Sequence, residues 1–352
     1  MRITSIVGAR PQFVKLAPVA RALAGLCDHR IIHTGQHYDI AMSDVFFAEL
    51  DIPRPDHHCG VGSESHGAQT GRMLESIERL LVDDRPDAVI VYGDTNSTLA
   101  AALAATKLHV PVVHLEAGLR SFDRSMPEEV NRVMTDHTAD LCLAPTLGAM
   151  ANLATEGLGA RSLLVGDVMT DILFDVRDGL DAATAPPPPF DGAPFTLATL
   201  HRPANTDSPE RLREVIRGLA GQDRPTLLLA HPRLVAKAAE AGVQLDVGNI
   251  AVRGPVGYRD LVRLVLSSSG VVTDSGGLQK EAFLLRRPCV TVRSDTEWTE
   301  TVELGWNALV GERPSDIATA LSSLPTPGTD ETPYGDGRAA QRTAEAVLEF
   351  VA

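Results

Sequence analysis

The fold class is decided by one stretch, "AVIVYGDTNSTLAAALAATK", which occupies residues 88–107. Residues 88–94 predict a strand, and residues 95–107 predict a helix. The strand is apolar almost throughout rather than alternating, which is typical of a parallel sheet covered by helices on both faces. This stretch therefore predicts one strand–helix unit of an α/β domain.

The same pattern recurs on both sides of a proline-rich spacer. In the first half we predict helices over 12–25, 67–82, 95–107 and 127–138, and strands over 3–8, 30–35, 88–94, 111–118, 141–146 and 162–167. In the second half we predict strands over 195–201, 226–232, 250–256, 270–276, 289–293 and 307–311. The spacer, 183–194, contains four consecutive prolines, which do not fit a helix interior and are typical of a stiff linker.

Chain length also favours two domains, because 352 residues exceed what one hydrophobic core usually supports. We predict two doubly wound α/β domains, 1–182 and 183–337, facing each other across a cleft. Ligands of such sheets bind at the carboxyl ends of the strands. The sequence places a set of polar residues at those ends, namely Arg10, Gln36, Asp94, Glu116, His201, His231 and Ser275.

Composition excludes several functional classes. The net charge of −14 argues against a general nucleic-acid or membrane-surface binder. The four cysteines are far apart, so we expect neither a disulfide framework nor a zinc site, and we expect a cytoplasmic protein. No apolar run approaches the length needed to span a membrane.

Two strand–loop–helix stretches are suited to phosphate. "VTDSGGLQKEA" (272–282) combines small residues with a helix start, whose N–H groups can hold a phosphate. "VGARPQFVKLAP" (7–18) places Arg10 and Lys15 near a strand end, where two cations suit a diphosphate. The alternative for the first stretch is a tight turn without a ligand, and the alternative for the second is a pair of ordinary surface charges.

Several carboxylates are candidates for proton transfer. Glu128 and Glu129 directly follow Pro127, and Asp94 and Glu116 precede them along the chain. The simpler interpretation of the adjacent pair is that acidic residues in a first helical turn stabilise the positive end of the helix dipole. The residues alone leave both interpretations open.

The histidines do not predict a metal site. His33, Gln36 and His37 lie in "HTGQHYD", but no third ligand has metal-site spacing. His201 lies at a strand end beside Arg202, where a structural and a functional role are both open. We therefore predict no metal.

Taken together, nine motifs resemble the family of non-hydrolysing UDP-N-acetylglucosamine 2-epimerases. They follow one another in order from about residue 3 to residue 345: GARPQFVKLAP, TGQHYD, VYGDTNSTLA, HLEAGLRS, MPEEVNR, TLHRPANTD, DSGGLQKEA, TEWTETV and PYGDG. The resemblance implies a fold of the GT-B type, in which two Rossmann-like domains face each other across a cleft. It also implies that the C-terminal helix, 338–352, packs back onto the first domain.

The resemblance implies interconversion of UDP-N-acetylglucosamine and UDP-N-acetylmannosamine without a cofactor. In the family, UDP is eliminated to leave 2-acetamidoglucal and is then re-added. A sugar C2–H is a poor acid, so its removal needs a positioned base and stabilisation of the departing UDP. The residues that match the family's catalytic positions are Asp94, Glu116, Glu128 and His201. Glu129 keeps the helix-dipole interpretation.

The remaining motif positions imply binding roles. Those that match positions holding UDP or substrate are Arg10, Lys15, Arg132, Ser275, Gly276, Gly277 and Glu281. Bacterial family members can also bind UDP-N-acetylglucosamine at a second, activating site. The segments suited to such a site contain Gln36, His37, Arg72 and His231. We also expect a homodimer, with no nucleic acid or membrane as partner.

The sequence departs from the family pattern at three positions. Ala204 and Gln12 each replace a frequent glutamate, and Glu64 lies in a loop that is often uncharged. Because Ala204 is close to His201, the chain could also be an epimerase acting on a related UDP-2-acetamido sugar. A hydrolysing epimerase, a GT-B glycosyltransferase and a UDP-sugar-binding sensor without catalysis are open as well.

Overall fold

The computed structural model describes residues 1–36, 52–181, 189–324 and 331–352, and the side chains of Arg10 and Pro189 lie outside this description. The chain divides into two compact units. Unit 1 comprises Met1–Phe174 and Thr332–Ala352, and unit 2 comprises Asp175–Glu331. No helix in the described ranges is long and apolar enough to cross a membrane.

Unit 1 is built on a parallel sheet of seven described strands in the order β3-β2-β1-β4-β5-β6-β7. These are β1 (Arg2–Val7), β2 (Asp28–His33), β3 (His57–His58), β4 (Ala88–Tyr92), β5 (Val112–Leu115), β6 (Leu141–Ala144) and β7 (Ser162–Leu164). The strand order reverses between β1 and β4. In a doubly wound sheet, the carboxyl ends of the two strands at this point are where ligands bind.

Helices cover both faces of this sheet. They are α1 (Arg10–Leu23), α2 (His66–Asp84), α3 (Asn96–Lys107), α4 (Pro127–Thr138), α5 (Leu147–Thr155), α6 (Val168–Asp178) and the C-terminal helix (Ala339–Val351), with a 3₁₀ turn at Gly159–Arg161. Residues of β4 alternate between two cores: Ile90 belongs to the cluster that contains Phe13, and Val91 to the cluster that contains Met73. Since both faces are buried, β4 is apolar throughout.

The C-terminal helix is part of unit 1. Its buried residue Val347 belongs to the same apolar cluster as Leu16 of α1. The Asp171 carboxylate accepts hydrogen bonds from the N–H groups of Ala339 and Ala340, at 3.0 and 2.7 Å. These bonds satisfy two of the N–H groups that a helix start leaves without an intrahelical partner.

Unit 2 repeats the architecture with six described strands in the order β10-β9-β8-β11-β12-β13. The strands are β8 (Thr196–Leu200), β9 (Thr226–Ala230), β10 (Ile250–Arg253), β11 (Gly270–Thr273), β12 (Cys289–Thr291) and β13 (Asn307–Leu309). The helices are α7 (Pro203–Thr206), α8 (Pro209–Ala220), α9 (Pro232–Ala241), α10 (Tyr258–Ser267), α11 (Gly276–Leu284), α12 (Thr299–Glu303) and α13 (Ile317–Ser323), with 3₁₀ turns at Pro189–Gly192 and Pro314–Asp316. The strand order reverses between β8 and β11, which places His201 and Asp274 at the carboxyl ends of neighbouring strands.

The structure confirms all twelve predicted strands, but each ends earlier than predicted. The strand predicted over 111–118, for example, ends at Leu115, because Glu116 has a left-handed backbone with φ 74° that turns the chain away. The two-residue strand β3 was missed, since it is too short to show a pattern. The predicted fold class, α/β with two Rossmann-like domains, is confirmed. The domain boundaries predicted at 182/183 and 337/338, and the cleft predicted between the two domains, stay predictions.

Candidate active site

In unit 1, two predicted carboxylates follow neighbouring strands, and each is paired with a cation. Asp94 follows β4 and forms an ion pair with Arg132 of α4. Glu116 follows β5 and forms an ion pair with Lys15 of α1. Both Lys15 and Glu116 are about nine-tenths buried, with side-chain exposures of 12% and 11%. The sequence pointed to these four residues but did not predict that they pair.

Local backbone geometry makes room for the Lys15–Glu116 pair. Gly93 has φ +60°, and a β-carbon there would lie 3.1 Å from Lys15 Nζ and 3.3 Å from Glu116 Oε2. Glu116 itself is a non-glycine residue in the left-handed region, an uncommon and strained conformation that also occurs at functional sites. Its N–H donates to the carbonyl oxygen of Leu143 at 3.0 Å, which holds the strained turn.

Amide side chains fix the backbone of Asp94. Asn131 donates through Nδ2 to the Asp94 carbonyl oxygen at 3.0 Å and to Asn96 Oδ1 at 3.1 Å. Asn96 in turn donates to Gln69 Oε1 at 2.8 Å. This chain of bonds connects α4, α3 and α2 behind the carboxylate. No motif spacing reveals it, because the donors and acceptors come from three separate helices.

A buried ionic cluster contacts the backbone that follows β4 and β5. His114 Nδ1 lies 2.6 Å from Asp136 Oδ1, and His114 Nε2 lies 2.8 Å from the carbonyl oxygen of Gly93. Asp136 also accepts from the Gly118 N–H at 3.0 Å and pairs with Arg120 at 2.7 Å. Burial alone would raise the pKa of Asp136, but the facing His114 and Arg120 outweigh it and hold that pKa below its usual range.

The two adjacent glutamates have different surroundings from those we predicted. Glu129 is only 3% exposed and accepts hydrogen bonds from Ser121 N–H, Phe122 N–H and Arg132 Nη1, at 2.9, 3.0 and 3.0 Å. Glu129 lies in the first turn of α4, as the helix-dipole interpretation requires, and its carboxylate in addition holds a loop and a buried arginine. Glu128 is exposed and has no hydrogen-bond or ion-pair partner among the described residues.

In unit 2, the predicted histidine pairs with an aspartate that the sequence did not single out. His201 Nδ1 lies 3.1 Å from Asp274 Oδ1, and the Asp274 side chain is fully buried. After β8 the chain forms two helices, α7 and α8. The second is capped by Ser208, whose hydroxyl accepts from the Arg211 N–H.

The small residues predicted to hold phosphate lie at the start of α11. Ser275 is its N-cap, and Gly276 and Gly277 form its first turn. A β-carbon at Gly276 would overlap Glu297 Oε1, so any other residue there would force that carboxylate to move. Glu281 accepts a hydrogen bond from the Tyr258 hydroxyl at 3.0 Å. Sequence reasoning missed Tyr258, which lies outside the motifs.

Three of the four residues proposed for an activating site lie among the described residues. Gln36 Oε1 accepts from the N–H and hydroxyl of Ser97 at 3.0 and 2.7 Å, and Arg72 is exposed and pairs with Glu64. His231 belongs to unit 2 and caps α9. His37 lies outside the described residues. Activation and dimerisation stay predictions.

No described group of three or more His, Cys, Asp or Glu side chains is arranged to hold a metal ion. The polar side chains at the strand ends are instead organised as carboxylate–cation and carboxylate–histidine pairs. A paired carboxylate can accept a proton at a fixed position, and an imidazole can donate one. This arrangement is suited to acid–base chemistry.

Comparison with known proteins gives consistent matches. A model of the UDP-N-acetylglucosamine 2-epimerase family matches residues 22–348. A Methanococcus maripaludis protein named as a UDP-N-acetylglucosamine 2-epimerase homolog is 42% identical, over 99% of each chain. A Pseudomonas aeruginosa UDP-2,3-diacetamido-2,3-dideoxy-D-glucuronate 2-epimerase is 45% identical, over 99% of this chain and 100% of its own.

Solved structures agree. A crystal structure of the Methanocaldococcus jannaschii UDP-N-acetylglucosamine 2-epimerase with UDP-N-acetylglucosamine and UDP has a TM-score of 0.87 and 38% identity, covering 99% of this chain and 100% of that one. The Neisseria meningitidis enzyme bound to UDP-N-acetylglucosamine has a TM-score of 0.90 and 28% identity, with the same coverage.

Proposed function

Because this chain belongs to the UDP-N-acetylglucosamine 2-epimerase family, we propose that it interconverts UDP-N-acetylglucosamine and UDP-N-acetylmannosamine and keeps UDP attached in the product. The observation that carries this proposal is the pair of carboxylates after adjacent strands, Asp94 and Glu116, each held by its own cation. A glycosyltransferase has no need for bases aimed at C2 of its donor sugar. The site is therefore better suited to epimerisation than to transfer.

The proposed reaction is an elimination followed by an addition. A carboxylate takes the C2 proton, the electron pair of the C–H bond forms a C1=C2 double bond, and the C1–O bond breaks to release UDP. A UDP oxygen then attacks C1 while a proton is delivered to the other face of C2. The C2–H is not acidified by a carbonyl group, so its removal requires a positioned base and a stabilised leaving group.

Geometry suggests a division of labour. Asp94 and Glu116 are already oriented by Arg132 and Lys15, so either can act as a base at a fixed position. Exposed Glu128 is proposed as a further proton carrier. A lysine ammonium has three N–H donors. Lys15 can therefore pair with Glu116 and also make the proposed contact with a diphosphate.

The proposed UDP site combines contacts from several segments. The first turn of α11 presents N–H groups of Gly276 and Gly277 behind Ser275, which suits a phosphate. Glu281 is proposed to accept hydrogen bonds from ribose hydroxyl groups. The proposal also includes Arg10, whose side chain lies outside the description.

Proton NMR in D₂O tests the reaction directly. We expect a UDP-linked product that carries deuterium at C2. Epimerised product without C2 deuterium contradicts proton transfer, free N-acetylmannosamine with UDP indicates a hydrolysing enzyme, and consumption only with an added acceptor indicates a transferase. No turnover and no exchange, with UDP still bound, indicates a sensor.

Matched variants test the residues. Glu116→Gln and Asp94→Asn remove basicity while keeping shape, and each should slow turnover by about 10²–10⁴-fold. Glu128→Gln should do the same. Glu210→Gln is the matched control, because Glu210 also follows a proline in the first turn of an exposed helix start. Wild-type turnover in all three test variants would contradict the assignment.

A related acidic sugar is the second candidate substrate. Arg202 lies beside His201, and its guanidinium has no hydrogen-bond or ion-pair partner among the described residues. Two positions further along, Ala204 stands where the family commonly has glutamate. The 45% identical relative is named for a glucuronate, which bears a carboxylate. This candidate predicts that UDP-2,3-diacetamido-2,3-dideoxyglucuronate has the higher kcat/KM and that Arg202→Gln removes the preference. A higher kcat/KM for UDP-N-acetylglucosamine rejects it.

A further inference from the structure

Asp274 is a buried carboxylate surrounded by hydrogen-bond donors. It follows β11, and its side chain has no exposed surface. Oδ2 accepts from the N–H groups of His201 and Arg202 at 3.2 and 3.0 Å, and from Asn205 Nδ2 at 3.1 Å. Oδ1 lies 3.1 Å from both the His201 N–H and His201 Nδ1.

These contacts fix the ionisation of Asp274. Burial alone would raise its pKa, but the bond from the His201 side chain, the N–H of Arg202 and the amide of Asn205 outweigh burial and lower it. An ionised carboxylate only accepts hydrogen bonds, so the 3.1 Å approach of His201 Nδ1 to Asp274 Oδ1 favours a proton on Nδ1. The other ring nitrogen, Nε2, is then the one that gains and loses a proton.

We propose that Asp274 is a positioning residue that holds His201 as its Nδ1–H tautomer and so directs Nε2 toward the reacting substrate. This role rests on the proposed function. When C1–O breaks, the departing phosphate oxygen gains negative charge. In the reacting state His201 carries a second proton, on Nε2, which donates to that oxygen while Nδ1–H stays on Asp274. A proton passed at that bond returns to Nε2 when the oxygen re-adds to C1, so the imidazole is unchanged after a full cycle.

Among the described residues, Asp274 is the charged neighbour placed to accept a hydrogen bond from His201 Nδ1. Arg202 is adjacent in sequence and, as a cation, does not accept a proton from His201. The His231 ring lies 6.4 Å from the His201 ring, centre to centre. His231 Nδ1 accepts from the Arg233 N–H at 3.2 Å, so its neutral ring carries the proton on Nε2. The two histidines are therefore expected to be opposite tautomers.

The wild-type protein provides the first test. Long-range ¹H–¹⁵N NMR of histidine-labelled protein, at a pH where both rings are neutral, distinguishes the two tautomers. We expect Nδ1–H for His201 and Nε2–H for His231, which serves as the internal control. An Nε2–H tautomer at His201 would overturn the proposal, whether or not the enzyme is an epimerase.

Asp274→Asn provides the second test. The asparagine oxygen is expected to face the three donors around Oδ2, so its NH₂ group faces His201 Nδ1. Nδ1 then accepts instead of donating, which forces the neutral Nε2–H tautomer and disfavours the doubly protonated ring that donates to the departing oxygen. We expect kcat to fall by about 10²–10⁴-fold, the cost of a misoriented or wrongly protonated histidine, while KM changes much less. Asp207→Asn, an exposed aspartate paired with Arg233 in the same unit, is the control and should keep wild-type kcat.

The outcomes separate this proposal from the proposed function. A switched tautomer with wild-type kcat overturns positioning by Asp274. If the variant unfolds, the wild-type tautomers still decide the question. If His201→Gln keeps wild-type deuterium incorporation, then His201 has no part in catalysis and the positioning role is overturned with it. Absence of C2 deuterium in the wild type instead rejects the proposed function, while the tautomers remain measurable.

Discussion

Exchange of Glu129 for glutamine is expected to destabilise unit 1, whereas the same exchange at Glu128 is expected to leave stability unchanged. Glu129 is 3% exposed and accepts bonds on both oxygens, from Ser121 and Arg132 on Oε2 and from Phe122 on Oε1. A glutamine has one oxygen and one NH₂ group, so it can serve only one of these sides. On the other side, the glutamine NH₂ group would face an N–H donor of Ser121, Phe122 or Arg132 and could not bond with it.

The magnitude follows from the bonds lost. An orphaned buried N–H costs about 1–3 kcal/mol, and weakening a bond to charged Arg132 costs a further 1.5–3 kcal/mol or so. We therefore expect a loss of about 3–5 kcal/mol. For a unit of this size, at about 2–4 °C per kcal/mol, the melting temperature should fall by about 10 °C. Arg132 keeps its pair with Asp94, which limits the loss.

Scanning calorimetry and the D₂O assay together separate the two glutamates. Glu129→Gln should melt early, and Glu128→Gln should melt like the wild type while turning over about 10²–10⁴-fold more slowly. The reasoning fails if Glu129→Gln melts like the wild type. It also fails if Glu128→Gln is destabilised as strongly as Glu129→Gln.

Three further predictions concern contacts elsewhere in the chain. Asp171→Ala removes the cap of the C-terminal helix and should cost about 1–2 kcal/mol, seen as faster hydrogen exchange over 339–351; unchanged exchange would contradict this. Because the pKa of Asp136 is lowered in the folded state, its stabilisation is present above the unfolded value of about 4 and is lost as pH falls through the folded value. The melting temperature should therefore drop below about pH 4 in the wild type, and more shallowly in Asp136→Asn; equal slopes would reject the assignment. Tyr258→Phe should raise KM for the UDP-sugar with little change in kcat, since it frees Glu281 from its hydroxyl partner, and an unchanged KM would remove Tyr258 from the site.

Local sequence determined the secondary structure and the places where chemistry is possible. Strands such as β4 are apolar at every position because residues of both parities enter a core, Ile90 on one face and Val91 on the other. Apolar character is a local property, so it was readable without coordinates. The same holds for Asp94 and Glu116, which follow strands and therefore lie at the edge of the sheet where ligands bind.

Only the tertiary structure decided which side chains are partners. Lys15 and Glu116 are 101 residues apart, and His201 and Asp274 are 73 apart. Glu128 and Glu129 look alike in sequence, yet one is exposed and the other is buried beneath the loop that begins at Ser121. A hydrogen bond needs atoms placed to within a few tenths of an ångström. That placement depends on how distant loops fold over one another, which residue type and local spacing do not encode.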